Sequence, residues 1–237
     1  MSLLFQYQDE VLKKLAGQMD DFYLAGGTAL AKFYFQHRES YDLDFFTQNY
    51  SAERIEEITR ILARGTGKKL KLKSSSERTA QKTARWRIYD MVLDQGALLK
   101  IDFVEDVLPL IRPFKNVDRI NILSQEDIYL RKIYAVSGSS APDDRTGKRR
   151  FLGGRQEAKD LFDLYHLSMT FQNLSVFMQR HCEPWMKEGV INWFHRFSRS
   201  EMKMGLMEIN TTNVIEFSEI DRHFRKEMDR LIGGMTG

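Results

Sequence analysis

The chain has 237 residues, 42% hydrophobic and 29% charged, which is the composition of a globular protein with enough chain for one large or two small domains. No window approaches the roughly 18 apolar residues that a membrane span needs, and the N-terminus does not have the pattern of a signal peptide. A single cysteine, Cys182, excludes an internal disulfide framework and a cysteine-based zinc site, so we expect a cytoplasmic protein.

The net charge of +3 is weak evidence for a nucleic-acid partner, but the basic residues are unevenly distributed. One basic cluster covers residues 68–87 and a second covers residues 145–155. Such runs also occur as solvated edges and loops, so two interpretations of these clusters stay open.

Helical and strand patterns alternate along the first half of the chain. In order, they predict a helix over residues 3 to about 17, a buried strand over 22–25, a tight turn at 26–27, a helix capped by Thr28, a strand over 41–46 and a helix opened by Ser51. Residues 69–106 then show three runs typical of antiparallel strands, with a hairpin connection at 94–96.

The pattern becomes helical in the second half of the chain. A capping box at Ser124 opens a helix, residues 137–154 lack periodicity and predict a loop, and helices follow almost to the end. We therefore place a mixed α/β unit at residues 1–113 and a helical unit at residues 114–237. The expected fold class is α+β, with a mixed, mostly antiparallel sheet packed on helices and followed by a C-terminal helical bundle.

Gly26 and Gly27 stand between the predicted buried strand and the next helix. Two glycines let the backbone approach a ligand closely, and the free N–H groups and positive dipole end of a helix suit a phosphate. Thr28 adds a hydroxyl that can donate to a phosphate oxygen. Alone, the pattern is also that of an ordinary turn.

Asp42 and Asp44 make the segment chemically specific. Residues two apart on a strand project from the same face, so both carboxylates meet at one place. Their repulsion would destabilise a half-buried sheet, and a divalent metal removes that penalty. Hard oxygen ligands beside a phosphate site fit Mg²⁺. Two exposed aspartates on an edge strand are the alternative interpretation.

A second metal ion would need a further carboxylate on a neighbouring strand, and Asp102 is the best candidate. Its neighbours Ile101 and Phe103 point to the opposite face, which leaves Asp102 on the less apolar side. Asp102 could ligate that metal and accept a proton from an attacking hydroxyl. Three competitors are less well framed by apolar neighbours: Asp90, Glu105 and Asp106.

A glycine pair with Ser or Thr, a helix, and Asp-x-Asp on the next strand resemble the DNA polymerase β-like nucleotidyltransferase superfamily. The fuller pattern, GGTAL from Gly26 followed by R-x-S-x-D-x-D-F-F from Arg38, is similar to the AbiEii/AbiGii toxin branch, which contains the toxin halves of AbiE-type toxin–antitoxin pairs. The resemblance implies a nucleotidyltransferase fold, one or two Mg²⁺ ions, an NTP substrate and a cognate antitoxin as partner.

A second part of the resemblance lies downstream, at Lys132 in a helix and at Lys159-Asp160 after the basic loop. It implies that Lys132 contacts the nucleotide phosphates, that Asp160 lies near the same pocket, and that Lys159 or Arg155 adds positive charge. The helical unit would then complete the nucleotide pocket. Alternatively, Lys132 is a solvated helix lysine and Asp160 pairs structurally with Lys159 or Arg155. The resemblance covers about the first 170 residues.

Arg38 and Ser40 are expected to shape the turn into the catalytic strand, and a direct contact of each with the nucleotide is the further prediction. His37 beside them is expected at the surface. Four aromatic residues lie at helical spacing, which favours core or interface packing over a platform for stacking bases: Trp185, Trp193, Phe194 and Phe197.

Together with the resemblance, these residues predict an Mg²⁺-dependent nucleotidyltransferase that moves a nucleoside monophosphate (NMP) from an NTP to an acceptor hydroxyl. RNA, specifically a tRNA 3′ end, is the favoured acceptor, and a protein side chain is its rival. The alternatives are a non-catalytic module that binds a nucleotide or a partner, and a metal-dependent nuclease or phosphatase. The residues expected to carry catalysis are Asp42, Asp44, Asp102, Lys132 and Asp160.

Overall fold

The computed structural model of the protein describes residues 3–77, 84–141, 150–152 and 154–235. It divides into two compact units. The first consists of Met1–Tyr34 and Ser40–Ser124, and the second of Phe35–Glu39 and Gln125–Gly237. A short segment from the first half of the chain is therefore part of the second unit.

The strands of the first unit form one seven-stranded sheet. They are β1 (Tyr23–Leu24), β2 (Leu43–Thr47), β3 (Leu70–Ser76), β4 (Trp86–Val92), β5 (Leu98–Glu105), β6 (Lys115–Val117) and β7 (Ile120–Ile122). Their order across the sheet is β3-β4-β5-β2-β1-β7-β6. The β2–β5 and β1–β7 pairs are parallel and the other neighbouring pairs are antiparallel, so the predicted mixed, mostly antiparallel sheet is confirmed.

The described helices of this unit are α1 (Leu3–Leu15), α2 (Gly26–Leu30), which continues as a π-helical turn over Ala31–Phe35, and α3 (Ala52–Thr66). Ser51 opens α3 as predicted, because its side chain accepts a hydrogen bond from the Arg54 N–H. Gly67 ends α3 in the left-handed conformation that glycine adopts without steric cost.

The strand β5 shows why the two faces of the sheet differ. Leu99, Ile101 and Phe103 are fully buried on the face that packs towards α1. Because side chains alternate along a strand, Lys100 and Asp102 point to the opposite face. That polar face carries the candidate site.

The helix after the glycine turn begins earlier than predicted. Gly26 and Gly27 already belong to the first turn of α2, with Ala25 as its N-cap, so the prediction that Thr28 caps the helix is wrong. The cause is Gly26, whose φ of 67° turns the chain directly from β1 into the helix.

The boundary between the units lies after Ser124 rather than after residue 113. Residues 115–122 form the β6–β7 hairpin, and β7 joins the sheet beside β1. Its turn contains Asp118 and Arg119, both left-handed, with φ of 49° and 64°. Turns of this kind usually carry a glycine, and the absence of one here leaves the sequence without its ordinary hairpin signal.

The second unit is a helical bundle with an aromatic core. Its described helices are α4 (Gln125–Ser137), α5 (Ala158–Thr170), α6 (Leu174–His181), α7 (Pro184–Arg196), α8 (Arg199–Met207) and α9 (Phe217–Gly233). Trp193 and Phe194 are buried and pack against Phe224, which confirms their predicted core role. Across the described parts of both units, no helix combines the length and apolar character of a membrane span.

The loop predicted over residues 137–154 is wrong at its two ends. There β8 (Ser139–Ala141) and β9 (Arg150–Leu152) pair as an antiparallel hairpin. Strands of three residues are too short to show an alternating pattern in the sequence. Several residues of the two basic clusters lie outside the described residues: Arg78, Lys82, Arg145, Lys148 and Arg149.

Candidate active site

Asp44 and Asp102 lie side by side at the centre of the sheet. Asp44 on β2 is the direct neighbour of Asp102 on the parallel strand β5. Neighbours in register project from the same face, and the adjacent residues Phe45 and Phe103 are buried on the other one. The two carboxylates therefore share the polar face of the sheet.

The competing acidic residues occupy other positions. Glu105 follows the alternation to the opposite face, and Asp106 is buried beyond the end of β5. Each has a partner of its own: Arg85 for Glu105, Tyr23 for Asp106 and Lys73 for Asp90. Only Asp102 among the four candidates is in register with Asp44.

Asp42 adds a carboxylate to this group through Lys100. The strand predicted from residue 41 begins at Leu43, so Asp42 lies just before it. Lys100 shares the face of Asp102, and its Nζ is 2.6 Å from Asp102 Oδ2 and 3.6 Å from Asp42 Oδ2. One ammonium group thus joins two of the predicted catalytic carboxylates. Sequence reasoning missed Lys100, although its two-residue spacing from Asp102 was an available signal.

The environment of Asp102 disfavours its charged form. The residue is 8% exposed, and its Oδ1 has no hydrogen-bond partner among the described residues. Burial, and after it the negative charge of Asp44, raises the pKa of Asp102 to about 6, although the hydrogen bond from Lys100 opposes this shift. The group therefore holds more negative charge than Lys100 neutralises.

The start of α2 lies directly against Asp44. The Ala25 N–H donates to the Asp44 carbonyl oxygen at 2.8 Å. A Cβ added at Gly26 would overlap the Asp44 carboxylate oxygen and lie 3.1 Å from Asp44 Cγ. The predicted proximity of the strand carboxylate to the glycine turn is therefore present for Asp44.

Thr28 and Ser40 support the segment that leads into β2. Thr28 is fully buried, its hydroxyl donates to the Asp42 carbonyl oxygen, and it lies 2.9 Å from the Ser40 hydroxyl. The Gln8 side chain donates to the Ser40 carbonyl oxygen at 2.9 Å. These bonds fix the backbone of Asp42 next to the first turn of α2, and the predicted phosphate contacts of Thr28 and Ser40 stay predictions.

Gly26→Ala is expected to reduce catalytic activity far more than Gly67→Ala. Both glycines have a φ of 67°, so both substitutions carry the same left-handed backbone penalty of roughly 1–2 kcal/mol. The added methyl at Gly67 meets nothing within 4 Å, whereas at Gly26 it displaces the Asp44 carboxylate. Denaturant unfolding together with NMP-transfer rates separates the two effects. Equal activity of the two variants would contradict the placement of Asp44 at the reacting centre.

The second unit contains a buried ion network centred on two carboxylates of α5. Lys132 on α4 is 5% exposed, and its Nζ lies 2.7 Å from Asp160 Oδ1 and 2.7 Å from Asp163 Oδ2. Arg155 donates to Asp160 from Nη2 at 2.7 Å. Lys132 is therefore not the solvated helix lysine of the alternative interpretation, and Asp160 pairs with both Lys132 and Arg155.

Asp163, which sequence reasoning missed, collects further donors. The Arg38 guanidinium binds both of its oxygens, with Nε to Oδ1 at 2.6 Å and Nη2 to Oδ2 at 2.8 Å. His37 Nε2 lies 2.8 Å from Oδ1, so His37 is buried and its expected surface position is wrong. We call these six residues the Asp163 network: His37, Arg38, Lys132, Arg155, Asp160 and Asp163.

The cations of the network keep both of its carboxylates ionised. Burial alone would raise the pKa of Asp163, but the charges of Lys132 and Arg38 and the bonds from Arg38 and His37 hold it well below the usual value. The pKa of Asp160 is lowered in the same way, against burial, by Lys132 and Arg155. Lys159 is not part of the network, since its Nζ pairs with Glu157 at 2.9 Å.

The donor atoms near Asp44 match a hard cation, although they do not enclose a common point. Within the described ranges, no three His, Cys, Asp or Glu side chains are arranged to hold a metal ion. The unpartnered Asp102 Oδ1 and the one-third exposed side chain of Asp42 nevertheless offer the oxygen ligands that Mg²⁺ prefers. Lys100 already places one positive charge beside these carboxylates.

Comparisons with known proteins identify the fold and the family of the chain. A similar fold is found in JHP933 from Helicobacter pylori, with a TM-score of 0.55 and 15% identity over 98% of this chain and 94% of that chain. Another is found in MenT4, a nucleotidyltransferase toxin from Mycobacterium tuberculosis, with a TM-score of 0.56 and 15% identity over 97% of this chain and 83% of that chain. A search of curated proteins finds no match. The family model described as "Nucleotidyl transferase AbiEii toxin, Type IV TA system" matches residues 10–230, well past the first 170 residues. The chain therefore belongs to the AbiEii family of nucleotidyltransferase toxins from type IV toxin–antitoxin systems.

Proposed function

We propose that this nucleotidyltransferase transfers an NMP from an NTP to a hydroxyl of RNA, at the 3′ end of a tRNA, with Mg²⁺ as its cofactor. The observation that supports this proposal best is the in-register pair of Asp44 and Asp102 against the first turn of α2. We place the reaction in the cytoplasm, where NTPs and tRNA are found. The family also implies a cognate antitoxin as partner.

The residues around Asp44 would have separate roles in the reaction. Asp42, Asp44 and Asp102 would hold Mg²⁺, which when bound offsets the negative charge of the triphosphate. The backbone at Gly26 and Gly27 would receive the phosphates. The acceptor oxygen bonds to the α-phosphorus as the bond to the bridging oxygen breaks and pyrophosphate leaves. Asp102 would take the hydroxyl proton.

The remaining predicted site residues belong to the proposal as nucleotide contacts. Lys132 and Asp160 would act near the phosphates from within the Asp163 network. Four others would contact the nucleotide directly: Thr28, Arg38, Ser40 and Lys159.

The cross-strand register supports RNA as the acceptor. Lys71 on the edge strand β3 pairs with Asp90 on β4, which pairs with Lys100 on β5. Residues directly opposite across a sheet share a face, so exposed Lys71 is on the face of the carboxylates. Lys73 lies on the same face, since its Nζ is 3.4 Å from Asp90 Oδ2. A basic edge two strands from β5, on the face of the carboxylates, suits the phosphates of an RNA strand.

An incubation with Mg²⁺, each labelled NTP and total cellular RNA or lysate tests the acceptor. We expect label from an α-labelled NTP to enter RNA. Label that enters protein instead would replace RNA with a protein acceptor. Loss of RNA without NTP would point to a nuclease, and absence of both would favour a binding module.

The variant Lys71→Glu/Lys73→Glu is expected to lower RNA labelling by about tenfold. Because it removes two phosphate contacts, it should also reduce the slope of log affinity against log salt concentration by about two. Arg60→Glu/Arg64→Glu is the matched control. It reverses the same number of charges on exposed positions of α3, which meets the other face of β4 through the Glu56–Arg87 pair. RNA binding by filter retention at several salt concentrations measures the effect. Equal losses in both double variants would remove β3 from the acceptor surface.

A further inference from the structure

The ammonium group of Lys100 lies beside two carboxylates of the candidate site. It contacts Asp102 Oδ2 at 2.6 Å and Asp42 Oδ2 at 3.6 Å, and the charge of Asp44 also acts on it. Without a cation beside them, the like charges of three carboxylates on one sheet face would repel one another. Lys100 therefore supplies the counter-charge that lets these residues stay together.

This counter-charge is incomplete. One ammonium carries a single positive charge against three carboxylates, and Asp102 Oδ1 still has no partner among the described residues. A lysine donates hydrogen bonds along three directions and does not draw its acceptors into a shell, as a metal ion does. That difference explains why the carboxylates lie close together but do not enclose a metal-binding point.

An ammonium and a divalent cation compete for Asp102 Oδ2. Mg²⁺ binds carboxylate oxygens at about 2.0–2.1 Å, so an ion on Asp102 Oδ2 would be close to the present position of Lys100 Nζ. Two cations at that separation repel strongly. The Lys100 side chain is one-third exposed, and its flexible four-carbon stem can carry the ammonium into solvent.

We infer that Lys100 is an internal counter-ion of the catalytic carboxylates. Its ammonium group holds them in place without metal and must release them when a divalent cation binds. The inference rests on the proposed metal-dependent function. It makes Lys100 a positioning residue whose ammonium competes with the metal for Asp102.

Mn²⁺ binding to the purified full chain, followed by electron paramagnetic resonance, tests this competition, with thermal unfolding in EDTA as the second readout. Lys100→Met should bind Mn²⁺ about tenfold more tightly than the wild type, because the competing ion pair is gone. In EDTA it should unfold at a lower temperature, and saturating Mn²⁺ should raise its Tm more than that of the wild type. Lys71→Met, on the same face but opposite Asp90, should change neither quantity.

Mn²⁺ affinity that is unchanged or weaker in Lys100→Met overturns the inference. Lys100→Gln gives the same comparison with a polar side chain should the Met variant fold poorly. Asp44→Asn distinguishes the two proposals. If Asp44→Asn weakens Mn²⁺ binding and Lys100→Met does not strengthen it, only the counter-ion role fails. If Asp44→Asn leaves Mn²⁺ binding unchanged, the metal site of the proposed function fails with it.

Discussion

Asp44→Asn is expected to lower the rate of NMP transfer by about a thousandfold while the protein stays folded. The substitution keeps the shape of the side chain and removes the charge that a metal ion needs, a loss of several kcal/mol in transition-state stabilisation at about 1.4 kcal/mol per decade. Folding should not suffer, because Asp44 is one of the charges that disfavour ionised Asp102. Asp42→Asn should act in the same direction.

The matched control for this experiment is Asp90→Asn. Asp90 lies on the same face, one strand beyond β5 and opposite Lys100 in register, and it forms an ion pair with Lys73. We expect it to keep most of its transfer activity. Single-turnover rates with an α-labelled NTP, together with circular dichroism, provide the measurement. Full activity of both Asp42→Asn and Asp44→Asn would end the assignment of the reaction to this face.

Asp163→Asn is expected to destabilise the second unit by about 3–5 kcal/mol, because it leaves buried cations without their carboxylate. Both oxygens of Asp163 are engaged, by Arg38, His37 and Lys132, and its side chain has no exposure. Asp221→Asn on α9 is the control, since the side chains of its partners Arg225 and Arg199 are 56% and 34% exposed. The loss of unfolding free energy in Asp221→Asn should stay below about 1 kcal/mol. Urea unfolding of both variants measures the difference.

The pH dependence of stability gives a second test of Asp163. Its folded-state pKa lies well below the unfolded value of about 3.9. A carboxyl of this kind contributes stability above the unfolded pKa and loses it as the pH falls towards the folded pKa. The stability difference between the wild type and Asp163→Asn should therefore be constant near neutrality and shrink below about pH 4. A difference that grows on acidification would contradict an ionised Asp163.

The carboxylate pair could be predicted from sequence because it depends on local alternation. Asp44 and Asp102 each stand between apolar neighbours on a strand, and the two-residue period alone assigns their face. What the sequence could not supply was their register, which depends on the parallel pairing of β2 with β5. Lys100 was missed for a related reason. A lysine in a strand is ordinarily solvated, and only the pairing places it beside Asp42.

The Asp163 network was harder to foresee, because its members come from separate parts of the chain. Asp160 and Asp163 have the three-residue spacing that places side chains on one helix face, which was a usable signal. The contribution of Arg38 had no local signal. Its segment follows a π-helical turn and Gln36, whose φ of 52° redirects the chain, and its destination is set by tertiary contacts alone.

The segment Phe35–Glu39 has a consequence for any attempt to divide the protein. It is held in the second unit by Arg38 on Asp163, by backbone bonds from Glu39 to Asn210 and from Thr212 to His37, and by a β-bridge between Arg38 and Thr211. A fragment that starts at Gln125 would lose the guanidinium that faces a buried carboxylate. The helical half is thus not a transferable module, and neither truncation nor fusion near residue 124 yields it intact. During synthesis, the segment Phe35–Glu39 leaves the ribosome long before the helices of the second unit that bind it.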